Sequence, residues 1–306
     1  MANSVIAFLV SLVYAIPSLV LYLVTVVIII WYWPNIKSSF YQFYIFEFLM
    51  NAMTFWNGII SLRLPAVTCS DCRMASYYRN GHRSHSSFMN QFQYAMQFHM
   101  AYVQYTTTAI VALNRLSIIY KRDSFEPLWR KYSWVVMIFI YCAPFGFTYP
   151  IFLHDTYFRY DSKGDKFALL CDYKSSTMFE CLLPLMIATT LITMVANVVS
   201  FIRLAKLPYT PRQLEKSFLA VTILASFVQV IGTVLSALML ASTLGSNIFS
   251  YTGRTLPFVS DALTLIHPYL LIIFCVGIRK RLSSIFLLCN CLIPDLQNRL
   301  VHPSLT

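Results

Sequence analysis

Apolar residues gather into seven long runs along this chain, each closed off by short polar or basic punctuation. A helix needs about 20 such residues to cross the hydrocarbon of a bilayer. The pattern predicts spans over about 5–33, 40–62, 88–120, 132–153, 177–202, 217–240 and 256–277. A short amphipathic helix is expected over about 278–290, after the last span. The expected fold is an all-α membrane protein, a seven-transmembrane helix bundle forming a single domain over residues 1–306. The first run has no basic segment ahead of it and is too long for a cleaved leader, so it reads as a retained helix.

Polar residues inside the runs recur at helical spacing. On the third span Gln93, Gln97, Met100, Gln104, Thr108, Val111 and Arg115 share one face. On the second, Glu47, Asn51, Thr54, Gly58 and Ser61 do the same, and on the sixth Thr222, Ser226, Gln229, Thr233 and Ser236. Amides turned toward lipid would go unsatisfied, so these stripes face one another across the bundle. Single polar residues of this kind glue helices together; three stripes in one chain also predict a polar interior cavity.

Composition agrees with this pattern: 58% of the residues are hydrophobic, only 11% are charged, and the mean hydropathy is +0.63. The net charge of +11 raises nucleic acid as a partner, but the basic residues cluster at span ends rather than along one face. With the N-terminus outside, fourteen lysines and arginines fall on the inner side and nine on the outer side. That excess favours an outside N-terminus and an inside C-terminus. The partner implied is the lipid bilayer and not nucleic acid. A seven-span channel or transporter subunit is the alternative, in which the intramembrane charges line a path.

Several residues stand out chemically. Asn114 and Arg115 lie near the inner end of the third span, where a buried arginine needs an acceptor. Glu47 lies at a similar counted depth in the second span, so a Glu47–Arg115 ion pair, direct or water-bridged, is one reading of what holds the resting state; an arginine reaching phosphates is the other. Glu180 and Asp261 sit toward the outer ends of spans five and seven, level with Gln93 and Gln97. These four and Gln229 are the candidate ligand-binding residues. The carboxylates could equally pair with loop arginines such as Arg254. Pro268 follows His267 in the last span and makes a hinge there. Arg122, Arg130, Lys131, Arg203 and Lys206 form the basic inner surface.

Of the cysteines, Cys69, Cys72 and Cys171 fall in outer loops, an oxidising compartment. Cys69 or Cys72 could bridge to Cys171, with Cys69–Cys72 a third pairing. Zinc at Cys69, Cys72, His82 and His85 is a weaker reading because the spacing is loose. Cys289 and Cys291 follow the tail helix, a position suited to palmitoylation or to free thiols. No phosphate loop, nucleophile elbow or zinc-protease motif occurs. The chain is expected not to be an enzyme and to carry neither a cofactor nor a metal.

The stretch ALNRLSIIYKRDSFEPLWRKY, Ala112 to Tyr132, resembles the serpentine chemoreceptors of nematodes, class gamma or class V. The resemblance lies in Leu-Asn-Arg in the third span, followed by Phe125 and Trp129 in the second inner loop. It implies a G-protein-coupled chemosensory receptor in the plasma membrane, extending to a sensory-neuron cilium. It further implies a small-molecule ligand held among spans three, five, six and seven, and a heterotrimeric G protein on the basic inner face. Arg115 would stand where rhodopsin-like receptors carry the arginine of their Asp-Arg-Tyr motif, with Asn114 in place of the acid.

Overall fold

Helix α1 (Ala2–Trp31) leads through a 3-10 turn to α2 (Ser39–Gly58), where the Ser38 hydroxyl caps the helix by accepting from the Phe40 amide. The computed structural model describes residues 2–83, 87–162, 164–206, 209–242 and 248–284. From α2 the chain continues through a π-helical turn, Ile59–Arg63, into α3 (Leu64–Val67) and then α4 (Ala75–Arg83). Helix α5 (Phe88–Cys142) comes next, then α6 (Phe145–Thr148), the strands β1 (Thr156–Asp161) and β2 (Lys166–Cys171), and the helices α7 (Ser175–Leu204), α8 (Tyr209–Ser242), α9 (Ile248–Leu265) and α10 (His267–Phe274). Residues 276–284 are again helical.

Among the described residues six helical stretches are long and apolar enough to cross a membrane. They make seven passes, because α5 turns back on itself. Its 55 residues would extend about 80 Å at 1.5 Å per residue, far beyond about 30 Å of hydrocarbon. Lys121 leaves helical geometry, at φ −153° and ψ 83°, and divides α5 into two arms. The sequence places an irregular basic segment between spans three and four. The fold compresses that connection into one non-helical residue, and Trp129 of the second arm donates to the Ser117 hydroxyl of the first at 2.7 Å.

Helix α8 begins two turns before the expected span, which brings Glu215 into the helix. The loop after span four, expected to be irregular, is an antiparallel hairpin pairing Thr156 with Cys171 through Asp161 with Lys166. Its alternation points Phe158, Phe167 and Leu169 inward, where they pack against Tyr78 of α4. Burial there pushes the Tyr78 hydroxyl up to about 12. The hairpin and α4 together roof the outer part of α5 and α7.

The core forms in layers. An aromatic and aliphatic cluster centred on Tyr22, Phe43, Tyr44 and Leu271 fills the inner half. A second, with Tyr94, Phe98, Tyr102 and Met178, lies beneath the hairpin. Lipid-facing positions such as Val13, Ile138, Phe139, Val195 and Phe227 remain exposed, as a bilayer-spanning surface requires. Gly232 permits the close approach of α8 to α5, since a Cβ there would lie 2.5 Å from the Tyr105 hydroxyl.

Candidate functional site

Three polar contacts sit at successive levels between α2, α5, α8 and the broken last span. The inner one is built on Arg115. Its side chain is 1% exposed, and its guanidinium lies 5.0 Å from the Phe40 ring and 5.2 Å from the Phe218 ring. Nε and Nη2 donate to Asn114 Oδ1 at 3.0 and 2.5 Å, and Nη1 reaches Glu215 Oε2 at 3.4 Å. Asn114 also donates from Nδ2 to the Ser39 hydroxyl at 3.0 Å. An amide does both jobs, whereas a carboxylate has no proton to give Ser39. Ser39 in turn gives its amide and hydroxyl protons to Glu126, just past the elbow. One buried arginine thus ties α2, both arms of α5 and α8.

The expected Glu47–Arg115 pair does not form. Asn114 and Arg115 lie against Ser39 and Phe40, the opening of α2, while Glu47 is about two turns further along. Depth counted from the ends of apolar runs ignores how neighbouring helices are staggered, and the stagger sets Asn114 against Ser39 at the opening of α2. Glu215 and Glu126, which the sequence reading assigned to loops, are the acids at this level.

Glu47 instead meets His267, Oε2 to Nδ1, at 3.6 Å. Around them Gln104 Nε2 donates to Asn51 Oδ1 at 2.8 Å and lies 3.4 Å from Thr54 Oγ1. Gln229 Nε2 donates to the Tyr105 carbonyl at 3.5 Å, and the Tyr105 hydroxyl donates to the Gln229 carbonyl at 3.2 Å. The Gln229 side-chain oxygen is buried without a hydrogen-bond partner. These groups surround a cavity of about 20 Å³ lined by Glu47, Asn51, Gln104, Thr108, Gln229 and His267, among others. A water needs about 10–15 Å³ on such a measure, so the cavity takes one small occupant.

The last span breaks beside this cavity. Ile266 separates α9 from α10, with Pro268 in the first turn of α10. A second break at Cys275 leads into helical residues 276–284. Pro268 lacks an N–H to continue the ladder, and the hinge it makes carries His267 itself.

At the outer level Arg63 Nη2 pairs with Asp261 Oδ1 at 2.5 Å, and the Tyr14 hydroxyl donates to Asp261 Oδ2. Arg63 also donates to the Pro257 carbonyl at 3.2 Å. The π-helical turn carries Arg63 inward from what the sequence presents as loop. Nearby, Gln97 donates to Ser61 at 3.1 Å, and the Gln93 carbonyl accepts from Asn57 at 3.0 Å.

Of the five candidate ligand residues, only Gln229 lines the cavity. Gln93, Gln97 and Asp261 lie at the outer level, Asp261 already taken by Arg63, and Glu180 is exposed on α7. The cavity is walled by the second, third, sixth and seventh spans, with the second replacing the fifth in the expected set. Arg122, Arg130, Lys131, Arg203 and Lys206 are all exposed at the elbow and the end of α7, with Arg203 5.1 Å from the Tyr120 ring.

The cysteine pairing with Cys171 is also corrected. Cys69 and Cys72 are bonded to each other, and Cys171 on β2 has no disulfide partner among the described residues. The tight turn after α3 brings the two Cα atoms to 5.1 Å, within bridging range, and removes both thiolates from the zinc alternative. His82 has only its backbone described, as does Arg254, and His85, Cys289 and Cys291 lie outside the described residues. The turn is held to the hairpin by Asp165, which accepts from the Ser70 amide and the Tyr160 hydroxyl, both at 2.8 Å.

The chain matches known proteins over most of its length. A family model described as Srg family chemoreceptor matches residues 8–282. Serpentine receptor class gamma-31 of Caenorhabditis elegans is 26% identical over 282 residues, covering 90% of each chain.

Proposed function

The chain belongs to the Srg family of chemoreceptors, and from that premise we propose that it is a G-protein-coupled receptor whose resting form is held shut by Arg115. It is a multi-pass membrane protein, with the N-terminus placed outside by the excess of inner basic residues. A small-molecule ligand biases the bundle toward a form with an opened inner face. Arg122, Arg130, Lys131, Arg203 and Lys206 then meet the heterotrimeric G protein.

The observation that carries this reading is the Arg115 clamp. Its guanidinium is enclosed by Phe40 and Phe218 and joined to Glu215, so α2, α5 and α8 cannot separate without uncovering it. A permanently charged, planar donor set in an apolar shell gives two discrete arrangements, closed on Glu215 or released. Pro268 supplies the hinge one level above, where movement of α10 against α2 would pass to the clamp.

The test is basal signalling in cells that supply a promiscuous G protein, read at matched surface expression. Glu215→Ala frees Arg115 and raises basal output. Arg115→Ala removes output altogether, with or without the first substitution. Unchanged basal output in Glu215→Ala, with signalling retained in Arg115→Ala, overturns the reading.

A further inference from the structure

Among the described residues the turn between α3 and α4 carries the one disulfide, Cys69–Cys72, and neither the clamp nor the cavity uses it. The two cysteines are three positions apart. The chain entropy that a bridge removes from the unfolded state grows with the ring it closes, so a ring this short adds little to global stability. What the bond does for the protein lies in its surroundings.

Both cysteines are half-buried, within reach of a solute. The Cys69 amide donates to Cys72 Sγ at 3.1 Å. Arg79 donates from Nη2 to the Ser70 carbonyl at 2.8 Å, inside the ring, and exposed Arg73 follows Cys72 directly. The acids at the turn are Asp71, which is exposed, and Asp165, whose Oδ1 accepts from the Ser70 amide and the Tyr160 hydroxyl. An amide proton on the sulfur and guanidinium groups around the ring are surroundings that favour a thiolate. A sulfur that leaves readily as thiolate makes its disulfide quick to exchange.

The same turn is a mechanical joint. Ser70, between the two cysteines, is tied to the hairpin through Asp165. On the other side the amide of Ala75, which opens α4, donates to the Cys72 carbonyl at 2.8 Å. Helix α4 then sets Tyr78 against Phe158 and Phe167 of the hairpin. The bridge therefore fixes the point where the two parts of the roof meet.

We propose that the Cys69–Cys72 bridge is a thiol–disulfide exchange site, opened by small-molecule thiols, and that opening it loosens the hairpin roof. A thiolate attacks Cys69 Sγ, the bond between the two cysteines breaks, and Cys72 leaves as a thiolate beside the Cys69 amide. A second thiolate attacks the sulfur now carried by Cys69 and releases it. The sum oxidises two thiols to one disulfide, reduces the bridge to two thiols, and passes two protons from the reagents to the cysteines. Cys171 does not take the place of the second thiol. Asp165 holds Ser70 at the turn of the hairpin, and Cys171 lies five residues beyond Lys166 along β2, about 16 Å on at about 3.3 Å per residue. Which side of the membrane the site faces follows the orientation proposed above, while the exchange chemistry does not depend on it.

The test uses the full-length receptor purified in detergent and needs neither ligand nor G protein, so it stands apart from the signalling test. Free thiols are first blocked with N-ethylmaleimide, and the protein is then held in millimolar reduced glutathione. Newly released thiols are labelled with a heavier maleimide and read by mass spectrometry. The peptide holding Cys69 and Cys72 takes up two heavy labels while the midpoint of global unfolding stays in place. Hydrogen exchange at the Ser70 turn and the hairpin amides rises roughly three- to tenfold in the reduced, labelled protein. A bridge that stays closed until the receptor unfolds overturns the proposal, as does reduction that leaves exchange at the hairpin unchanged. The double variant Cys69→Ser, Cys72→Ser shows the raised exchange without glutathione and no response to it; a response retained there overturns the site. Should that variant fail to fold, reduced protein returned to oxidising buffer without the second label closes again and regains its starting protection. Protection that does not return overturns the coupling of bridge to roof.

Discussion

The inner clamp and the mid-bundle cavity are built from the same elements, α2, α5 and α8, yet they solve the burial of an acid in opposite ways. Glu215 faces an arginine that is charged under all conditions and spreads its donors over Asn114 and Glu215. Glu47 faces a histidine, across 3.6 Å, beside a cavity and an unpartnered amide oxygen. The clamp is closed to occupants and satisfied from within the chain. The cavity is left unfinished, and an unfinished polar site inside a bundle is where an outside group can act.

The comparison is broken most directly by making one substitution in both places. Glu215→Gln removes a charge from the clamp and strands Arg115 in an apolar shell, a change that costs about 3–5 kcal/mol for buried pairs. Glu47→Gln leaves no arginine stranded, and the loss stays within about 1 kcal/mol. Thermal or denaturant unfolding of the purified variants reads both. Similar losses at the two acids would mean that the two levels do not differ in kind.

A finer test probes the packing between the two levels. Gly232 sits where a Cβ would be 2.5 Å from the Tyr105 hydroxyl, and that hydroxyl donates to the Gln229 carbonyl. Gly232→Ala therefore pushes Tyr105 off its acceptor and crowds the cavity wall, with a loss of roughly 1–3 kcal/mol from overpacking. In a Tyr105→Phe background the penalty shrinks, since the clashing oxygen is gone. Additive losses in the double variant would place the strain elsewhere.

The two levels also differ in how far the amino-acid order revealed them. Periodicity placed Glu47, Asn51, Gln104, Thr108 and Gln229 on inward faces, and all five line the cavity. A period of 3.6 residues is a local property, so it survives without knowledge of neighbours. The clamp was half legible: Arg115 demanded a partner, but the sequence offered the wrong acid. Which acid lies opposite depends on how far helices continue past the apolar runs, and α8 and the second arm of α5 do so on polar, even Pro-containing, sequence. Arg63 was missed for the same reason, since a π-helical turn extends α2 beyond its apolar run. The Cys69–Cys72 bond was one of three open pairings, and only the geometry of the turn after α3 decides among them. The hairpin left its alternation in plain view at Phe158, Phe167 and Leu169, yet it is short enough to pass for loop.

The smallest effect belongs to a third acid, outside the membrane, which sharpens the contrast because hydrogen bonds and no cation hold it. Asp165 holds the Ser70 turn to the hairpin. The Ser70 amide, first, and the Tyr160 hydroxyl then hold its carboxyl below the usual range. A carboxylate whose value falls on folding contributes stability above its unfolded value, near 3.9 for an aspartate, and loses it as pH drops through the folded value. Hydrogen exchange at the Ser70 amide should therefore be no more open at pH 5 than at pH 7, once corrected for intrinsic rates. Protection should fall only under acid conditions below the ordinary aspartate range. Asp165→Asn should remove that acid-dependent step while leaving the midpoint of global unfolding nearly unmoved. If protection instead declines between pH 7 and 5, a histidine and not Asp165 governs the outer turn, and this acid would fall outside the contrast drawn between Glu215 and Glu47.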